Sequence, residues 1–198
     1  LYQNQVNALK NLTFYSPKNL FSGEISEKLI NILMSKNSQL YQLMTHDLPS
    51  RTFQKRLRYR TNHREVLSLF KLINREVFNS RLPTPEIQIM PRCRTYWGIC
   101  IANSLYPDYE YFKSNCTIRL SDKWFCKQWL ITTLAHEMCH QYQWDIESHK
   151  RIREGKMPLM SHGPSFFVWR DKLARYGIPL KKAHGMKRWF KHQSMFKC

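Results

Sequence analysis

The segment from Cys126 to Trp144 constrains the fold more than any other part of this 198-residue chain. Its apolar residues recur at helical spacing, so it predicts one long helix. Within it, His136 and His140 stand four residues apart and project from one side of the helix, with Glu137 one step around. Two imidazoles at this spacing can close on one metal ion, and zinc is the ion that the pattern favours. The alternative is a surface helix that carries these residues by accident.

A catalytic zinc site needs a third protein ligand and one open position. His162 is the best candidate, because the Gly-Pro pair after it begins the next helix and gives the imidazole a rigid mount. His149 is nearer in the sequence. A helix that continued to His149 would turn it away from the paired histidines, and a loop would leave it in solvent. Asp145 and Glu147 stay as weaker candidates.

The elements around this helix predict a small α+β domain. One helix precedes the strands, and its core face consists of Val66, Phe70, Ile73 and Val77. Three short strands of an antiparallel or mixed sheet follow, over Glu86 to Met90, Tyr96 to Ala102 and Cys116 to Leu120. A last helix should run from Pro164, which suits a first helical position, to Gly177, which suits a stop.

The charge of the chain indicates a polyanionic partner. Its 32 Lys and Arg residues against 14 Asp and Glu residues give a net charge of +18, which favours nucleic acid or an anionic surface. Residues 51–64 and 181–198 each contain six basic residues with aromatics among them. We expect phosphate contacts from Arg51, Lys55, Arg56, Arg58, Arg60, Arg64, Lys181, Lys182, Lys187, Arg188 and Lys191. The alternatives are solvated extensions or a patch for an acidic protein.

The hydropathy and the cysteines favour an intracellular protein without a membrane partner. The apolar runs are far shorter than the roughly 18 residues that a spanning helix needs. The six cysteines form no C-x-x-C pair, so we expect reduced thiols. A nucleic-acid-associated location in the cytoplasm, nucleoid or nucleus is expected, or in the virion if the protein is viral.

Four segments occur in an informative order: Tyr96-Trp-Gly-Ile-Cys100, Cys116-Thr-Ile-Arg-Leu-Ser121, Leu130-Ile-Thr-Thr-Leu-Ala-His-Glu-Met-Cys-His140 and His162-Gly-Pro-Ser-Phe166. This combination, within about residues 64–178, resembles the SprT-like (Spartan-type) zinc metalloproteases. The resemblance implies a zincin-like fold with one zinc ion per chain. It implies that His136, His140 and His162 are the metal ligands and that Glu137 is the general base. The implied activity is hydrolysis of peptide bonds in DNA-bound or DNA-crosslinked proteins.

The chain also departs from the family pattern. The family usually has glutamate where this chain has Ser165, so no carboxylate is expected to support a ligand there. The connection between the second and third histidines is long and basic, and we expect it to overhang the cleft. No cysteine lies between Cys139 and Cys198, so no zinc ribbon and no second zinc ion are expected.

The domain prediction has four parts. They are a helical N-terminal extension (1–50), a basic linker (51–63), a SprT-like domain (64–180) and a basic tail (181–198). The rival hypothesis is a non-enzymatic protein that keeps the fold, either nucleic-acid-binding or structural, such as a viral assembly component.

Overall fold

A computed structural model describes residues 36–45, 59–91, 96–104 and 113–183, all within the unit Ser35–Cys198. The helices are α1 (Gln39–Thr45), α2 (His63–Glu76), α3 (Lys127–Tyr142), α4 (Ser148–Arg153), α5 (Pro164–Phe167) and α6 (Arg170–Arg175). The strands are β1 (Tyr59–Arg60), β2 (Glu86–Met90), β3 (Gly98–Ala102), β4 (Cys116–Ser121) and β5 (Lys123–Trp124). A π-helical turn, Gln143–Glu147, joins α3 to α4. The predicted α+β class is confirmed.

The predicted N-terminal helical extension falls mostly outside the described residues. Helix α1 is the described part of it, and Leu40 and Met44 on this helix are fully buried. Within the described ranges, no helix combines the length and the apolar character needed to cross a bilayer.

Three strands form a mixed sheet in the order β2-β4-β3. The central strand β4 runs parallel to β2 and antiparallel to β3, and the Cα atoms of Ile87 and Cys100 both lie opposite Ile118. The predicted strands are therefore confirmed to within two residues at their ends. Strand β3 is at an edge of this sheet, so one side of its backbone faces the helix that packs beside it.

A separate two-stranded ladder joins β1 to β5. Tyr59 lies opposite Trp124, and Arg60 lies opposite Lys123. The hydroxyl of Tyr59 donates a hydrogen bond to Glu65, whose carboxylate also pairs with Lys127 Nζ at 3.1 Å. The end of segment 51–63 thus forms a strand that the sequence analysis did not predict, and the four-part domain division stays a prediction.

The start of helix α2 is set by a capping side chain, and left-handed residues follow its end. Asn62 precedes it, and its side chain accepts a hydrogen bond from the Glu65 backbone N–H, which would otherwise lack a partner at a helix start. After the helix, Asn79 and Ser80 adopt left-handed backbone angles, with φ of 55° and 58°. The predicted core face is confirmed, because its members are buried: Val66, Phe70, Ile73 and Val77.

Helix α3 passes through the centre of the domain. The apolar residues that recur along it at helical spacing are buried, among them Leu130, Leu134, Met138 and Tyr142. The opposite side is buried as well, because α5 covers it: the Phe166 ring packs on the His136 ring with centroids 4.8 Å apart. The histidines therefore lie in the interior of the domain rather than on an open helix surface.

The predicted helix from Pro164 to Gly177 is present as two short helices, α5 and α6. Pro164 is the first residue of α5, and Gly177, with φ of +74°, follows α6. Between the helices, the Trp169 ring packs against Phe78 and Tyr142, with centroids 4.6 and 4.7 Å away. This tertiary contact accounts for a change in direction that local periodicity does not encode.

Candidate metal centre

Three imidazole rings converge at one point in the structure. Helix α3 carries His136 and His140, whose ring centroids are 5.1 Å apart. The third ring is that of His162, directly before the residue that caps α5. Its Nε2 atom is 3.1 Å from Nε2 of His140 and 3.1 Å from Nε2 of His136. Ligand atoms of all three residues lie within 4.8 Å of one another.

This spacing fits a metal ion. Zinc bound tetrahedrally, with Zn–N distances of about 2.0–2.1 Å, would separate its nitrogen ligands by roughly 3.3 Å. The two 3.1 Å separations are close to that value. Three nitrogen donors also leave the fourth position of a tetrahedral ion open, which is the arrangement of a catalytic site rather than a structural one.

The surroundings keep two of these imidazoles neutral, which is the form that ligates metals. Burial lowers the pKa of His140 to about 4, although its hydrogen bond with Gln143 acts in the opposite direction. Burial also lowers the pKa of His162, and the positive charge of Lys182 adds to this effect. The Phe166 ring, with centroids 4.6 Å from His140 and 4.8 Å from His162, forms the apolar floor of the cluster.

Glu137 lies beside the cluster and is held by the edge strand. Its Oε2 atom accepts a hydrogen bond from the backbone N–H of Cys100 in β3, at 2.8 Å. Burial raises the pKa of Glu137 to about 8, and the Cys100 N–H partly offsets this increase. A carboxyl group with such a pKa is suited to taking up and releasing a proton near neutral pH.

Gly98 allows this close approach of β3 to α3. A Cβ atom at residue 98 would lie 2.7 Å from Thr133 Cγ2 and 3.2 Å from Glu137 Cγ. Real Cβ atoms essentially never approach another heavy atom to under 3.0 Å. In the sequence this glycine is visible only as part of a motif, because a contact between residues so far apart gives no local signal.

Gln143 is a second residue that the sequence analysis missed. Its side chain is fully buried and contacts both His140 and the segment that carries His162. The available signal was its position three residues after His140, which places both side chains on the same helix face.

The other candidate ligands lie outside the cluster. Asp145 is buried and accepts hydrogen bonds from Ser114 Oγ at 2.6 Å and from the Asn115 N–H at 3.0 Å. His149 is half-buried on α4, and Glu147 lines a groove with Arg81 and other residues. The described residues hold one group suited to a metal, and it contains His136, His140 and His162.

The basic connection between the second and third histidines is partly helical. Lys150, Arg151 and Arg153 lie on α4, and Lys156 pairs with Glu154 at 2.7 Å. Lys150 and Arg153 line the groove that Glu147 and Arg81 also line, and none of the three clustered histidines lines it. The expected overhang of the cleft stays a prediction.

Four of the predicted phosphate-contacting residues are described. Arg60 and Arg64 are exposed, near the start of α2, and Lys181 and Lys182 follow α6. The others lie outside the described residues: Arg51, Lys55, Arg56, Arg58, Lys187, Arg188 and Lys191.

The fold and the three histidines together define an α+β domain that could hold one metal ion. A family model described as the SprT-like family matches residues 66–184. Because the match covers more than half of the chain, the chain belongs to the SprT-like family, as its motifs predicted. No curated protein matched the chain.

Proposed function

We propose that the protein is a zinc-dependent metalloprotease that cleaves proteins bound or crosslinked to DNA. The observation that supports this most strongly is the convergence of His136, His140 and His162 beside the buried carboxyl group of Glu137. Membership of the SprT-like family supports a metallopeptidase at the level of class.

The three histidines would hold one zinc ion per chain through nitrogen atoms 3.1 Å apart. Zinc, when bound, supplies a Lewis acid that polarises a peptide carbonyl and acidifies a water molecule to a pKa near 7. The rest of the site excludes bulk solvent. His136 and His140 retain 7% and 9% of their exposure, so access to the cluster is from the side of His162, which is only half-buried.

Glu137 would act as the general base and then as the general acid. The Cys100 N–H fixes its Oε2 atom, so we assign proton uptake to the other oxygen, Oε1. The same oxygen would deliver the proton to the departing amine once the peptide bond breaks. Burial raises the pKa of Glu137 and so makes its carboxylate a stronger base, and the Cys100 N–H acts in the opposite direction by stabilising the ionised form.

The proposed DNA contacts rest on the distribution of positive charge. Arg60 and Lys123 are paired across the β1–β5 ladder, and like charges at such positions are destabilising, which a bound anion would relieve. Arg64 is exposed close by in sequence, at the second position of α2. After α6, Lys182 lies near enough to His162 to influence its pKa. Phosphates bound at these residues would place the protein on nucleic acid inside the cell.

Cleavage of a DNA-binding protein tests the proposal. The zinc-loaded full chain should degrade such a substrate in the presence of DNA, whereas Glu137→Gln should keep zinc and lose hydrolysis, since the amide cannot accept the proton. Glu147→Gln is the matched control, because Glu147 follows α3 but lies outside the histidine cluster. If the wild-type chain cleaves neither itself nor the DNA-bound substrate, and Glu137→Gln behaves identically, the non-enzymatic hypothesis replaces the protease.

A further inference from the structure

Gln143 has an amide group whose hydrogen-bonding capacity is fully used. Its Oε1 atom accepts from the Ser161 N–H at 3.1 Å and lies 3.1 Å from His140 Nδ1. Its Nε2 atom donates to the Ser161 carbonyl oxygen at 2.9 Å and to Ser165 Oγ at 2.8 Å. Two acceptor and two donor contacts are the full complement of a side-chain amide.

The backbone of Ser161 determines which way the amide points. An N–H group can only donate and a carbonyl oxygen can only accept, so the Gln143 oxygen must face the former and its nitrogen the latter. Rotating the amide by half a turn would place its nitrogen against the Ser161 N–H, which is also a donor, and its oxygen against the Ser161 carbonyl oxygen, which is also an acceptor. The orientation of Gln143 therefore follows from fixed backbone groups.

This orientation determines the tautomer of His140. The atom facing His140 Nδ1 is an amide oxygen, which can only accept a hydrogen bond, so Nδ1 must carry the proton. In the neutral imidazole, Nε2 then has the lone pair. Nε2 is the atom that lies 3.1 Å from His162 Nε2, at the centre of the cluster.

We propose that Gln143 is a positioning residue of the metal site, which fixes the ligating tautomer of His140 and fastens the His162 segment to α3 with the same amide. The proposal rests on the proposed function, because it assigns Gln143 a role toward the zinc ion. Ser165 holds Gln143 in place by accepting a hydrogen bond from its second N–H. In many metal sites a carboxylate accepts the hydrogen bond from the ligating histidine, and here the neutral Gln143–Ser165 pair takes that part.

A second clamp on the same connection provides a matched control. Ser148, which is fully buried, donates through Oγ to the Gln143 backbone oxygen at 2.8 Å and accepts from the Leu159 N–H at 3.0 Å. Ser148 holds Leu159 by a hydrogen bond as Gln143 holds Ser161. Among the hydrogen bonds of the described residues, none joins the Ser148 side chain to His140. Ser148→Ala should therefore weaken the connection without changing the tautomer.

Zinc affinity, measured by competition with a chelating dye, separates the two roles. Gln143→Met should lower the affinity by about 10- to 100-fold, the usual effect of losing such support. Gln143→Glu should recover part of the loss, because a carboxylate still accepts from His140 Nδ1. Ser148→Ala should change the affinity by less than about threefold. Wild-type affinity in Gln143→Met, or an equal loss in Ser148→Ala, would overturn the proposal.

The tautomer can also be measured without any variant. Nitrogen-15 NMR of the imidazoles in the metal-free wild-type chain should show His140 protonated at Nδ1. Protonation at Nε2 would overturn the proposal even if Gln143→Met fails to fold. Neither this measurement nor the zinc affinity requires proteolysis. A chain without protease activity would therefore refute the proposed function, while the role of Gln143 would still be decided by the zinc affinity and the NMR result.

Discussion

Replacing Gly98 by alanine should disable Glu137 although it removes no side chain from the site. The added Cβ would lie 2.7 Å from Thr133 Cγ2, 3.0 Å from Leu120 Cδ2 and 3.2 Å from Glu137 Cγ. Carbon atoms pack best at about 3.5–4.0 Å, so β3 and α3 would have to separate by roughly 0.8 Å. That movement would lengthen the 2.8 Å hydrogen bond from the Cys100 N–H to Glu137.

The expected magnitudes follow from overpacking and from the weakened hydrogen bond. Overpacking a core by one methyl group costs about 1–3 kcal/mol of the free energy of unfolding. A hydrogen bond to a charged group contributes about 1.5–3 kcal/mol, and each 1.4 kcal/mol lost from the transition state slows a reaction tenfold. We therefore expect Gly98→Ala to lower kcat/KM by about 10- to 100-fold while zinc stays bound, because the three histidines keep their positions.

The assay combines urea unfolding, zinc content and peptide hydrolysis, with two further variants. Gly155→Ala is the stability control: φ is +70° and nothing lies within 4 Å of an added Cβ, so about 1–2 kcal/mol of backbone strain is expected without loss of activity. Thr133→Ser, added to Gly98→Ala, removes the methyl group at 2.7 Å and should restore part of the stability and of the rate.

Two results would refute this reasoning. Gly98→Ala with the stability and kcat/KM of wild type would mean that β3 can move away from α3 at no cost to Glu137. No recovery in the Gly98→Ala, Thr133→Ser double variant would mean that the contact with Thr133 is not the source of the effect.

Two further predictions concern the surface. Burial tends to raise the pKa of Glu65, but hydrogen bonds from Tyr59 and Lys127 outweigh it and lower that pKa below 4.5. The stabilisation from this depressed pKa is present above about pH 4.5 and is lost as the pH falls through the lower pKa of the folded state. The melting temperature of Glu65→Gln should therefore depend less on pH in this range than that of wild type. An unchanged pH dependence would contradict this prediction. Replacing Arg60 or Lys182 by alanine should each reduce the log–log salt slope of DNA binding by about one, and an unchanged slope would move the DNA surface elsewhere.

The sequence predicted those parts of the fold that local patterns encode. Helix α2 was predicted from its periodic apolar face, a pattern that repeats over a few residues. The choice of His162 as third ligand depended on the Gly-Pro pair after it, and the structure places His162 with His136 and His140. Both predictions could be made from the sequence because spacing along a helix and the stiffness of proline are local properties.

The features that the sequence did not reveal all depend on contacts between distant segments. The β1–β5 ladder pairs residues more than sixty positions apart. The close approach at Gly98 requires β3 and α3 to be placed first. Gln143 could be assigned to the His140 face of the helix, but its partner Ser161 lies in a loop whose path no periodic pattern specifies.

The three-histidine zinc site is tested most directly by elemental analysis of the full chain purified without chelator. Wild type should contain one zinc ion per chain, and His162→Ala should lose most of it, whereas His149→Ala should keep it, because His149 lies outside the cluster. A wild-type chain without metal or with two equivalents would contradict the one-zinc site. If His162→Ala kept the zinc and His149→Ala lost it, His162 would not be the third ligand, and that role would pass to His149.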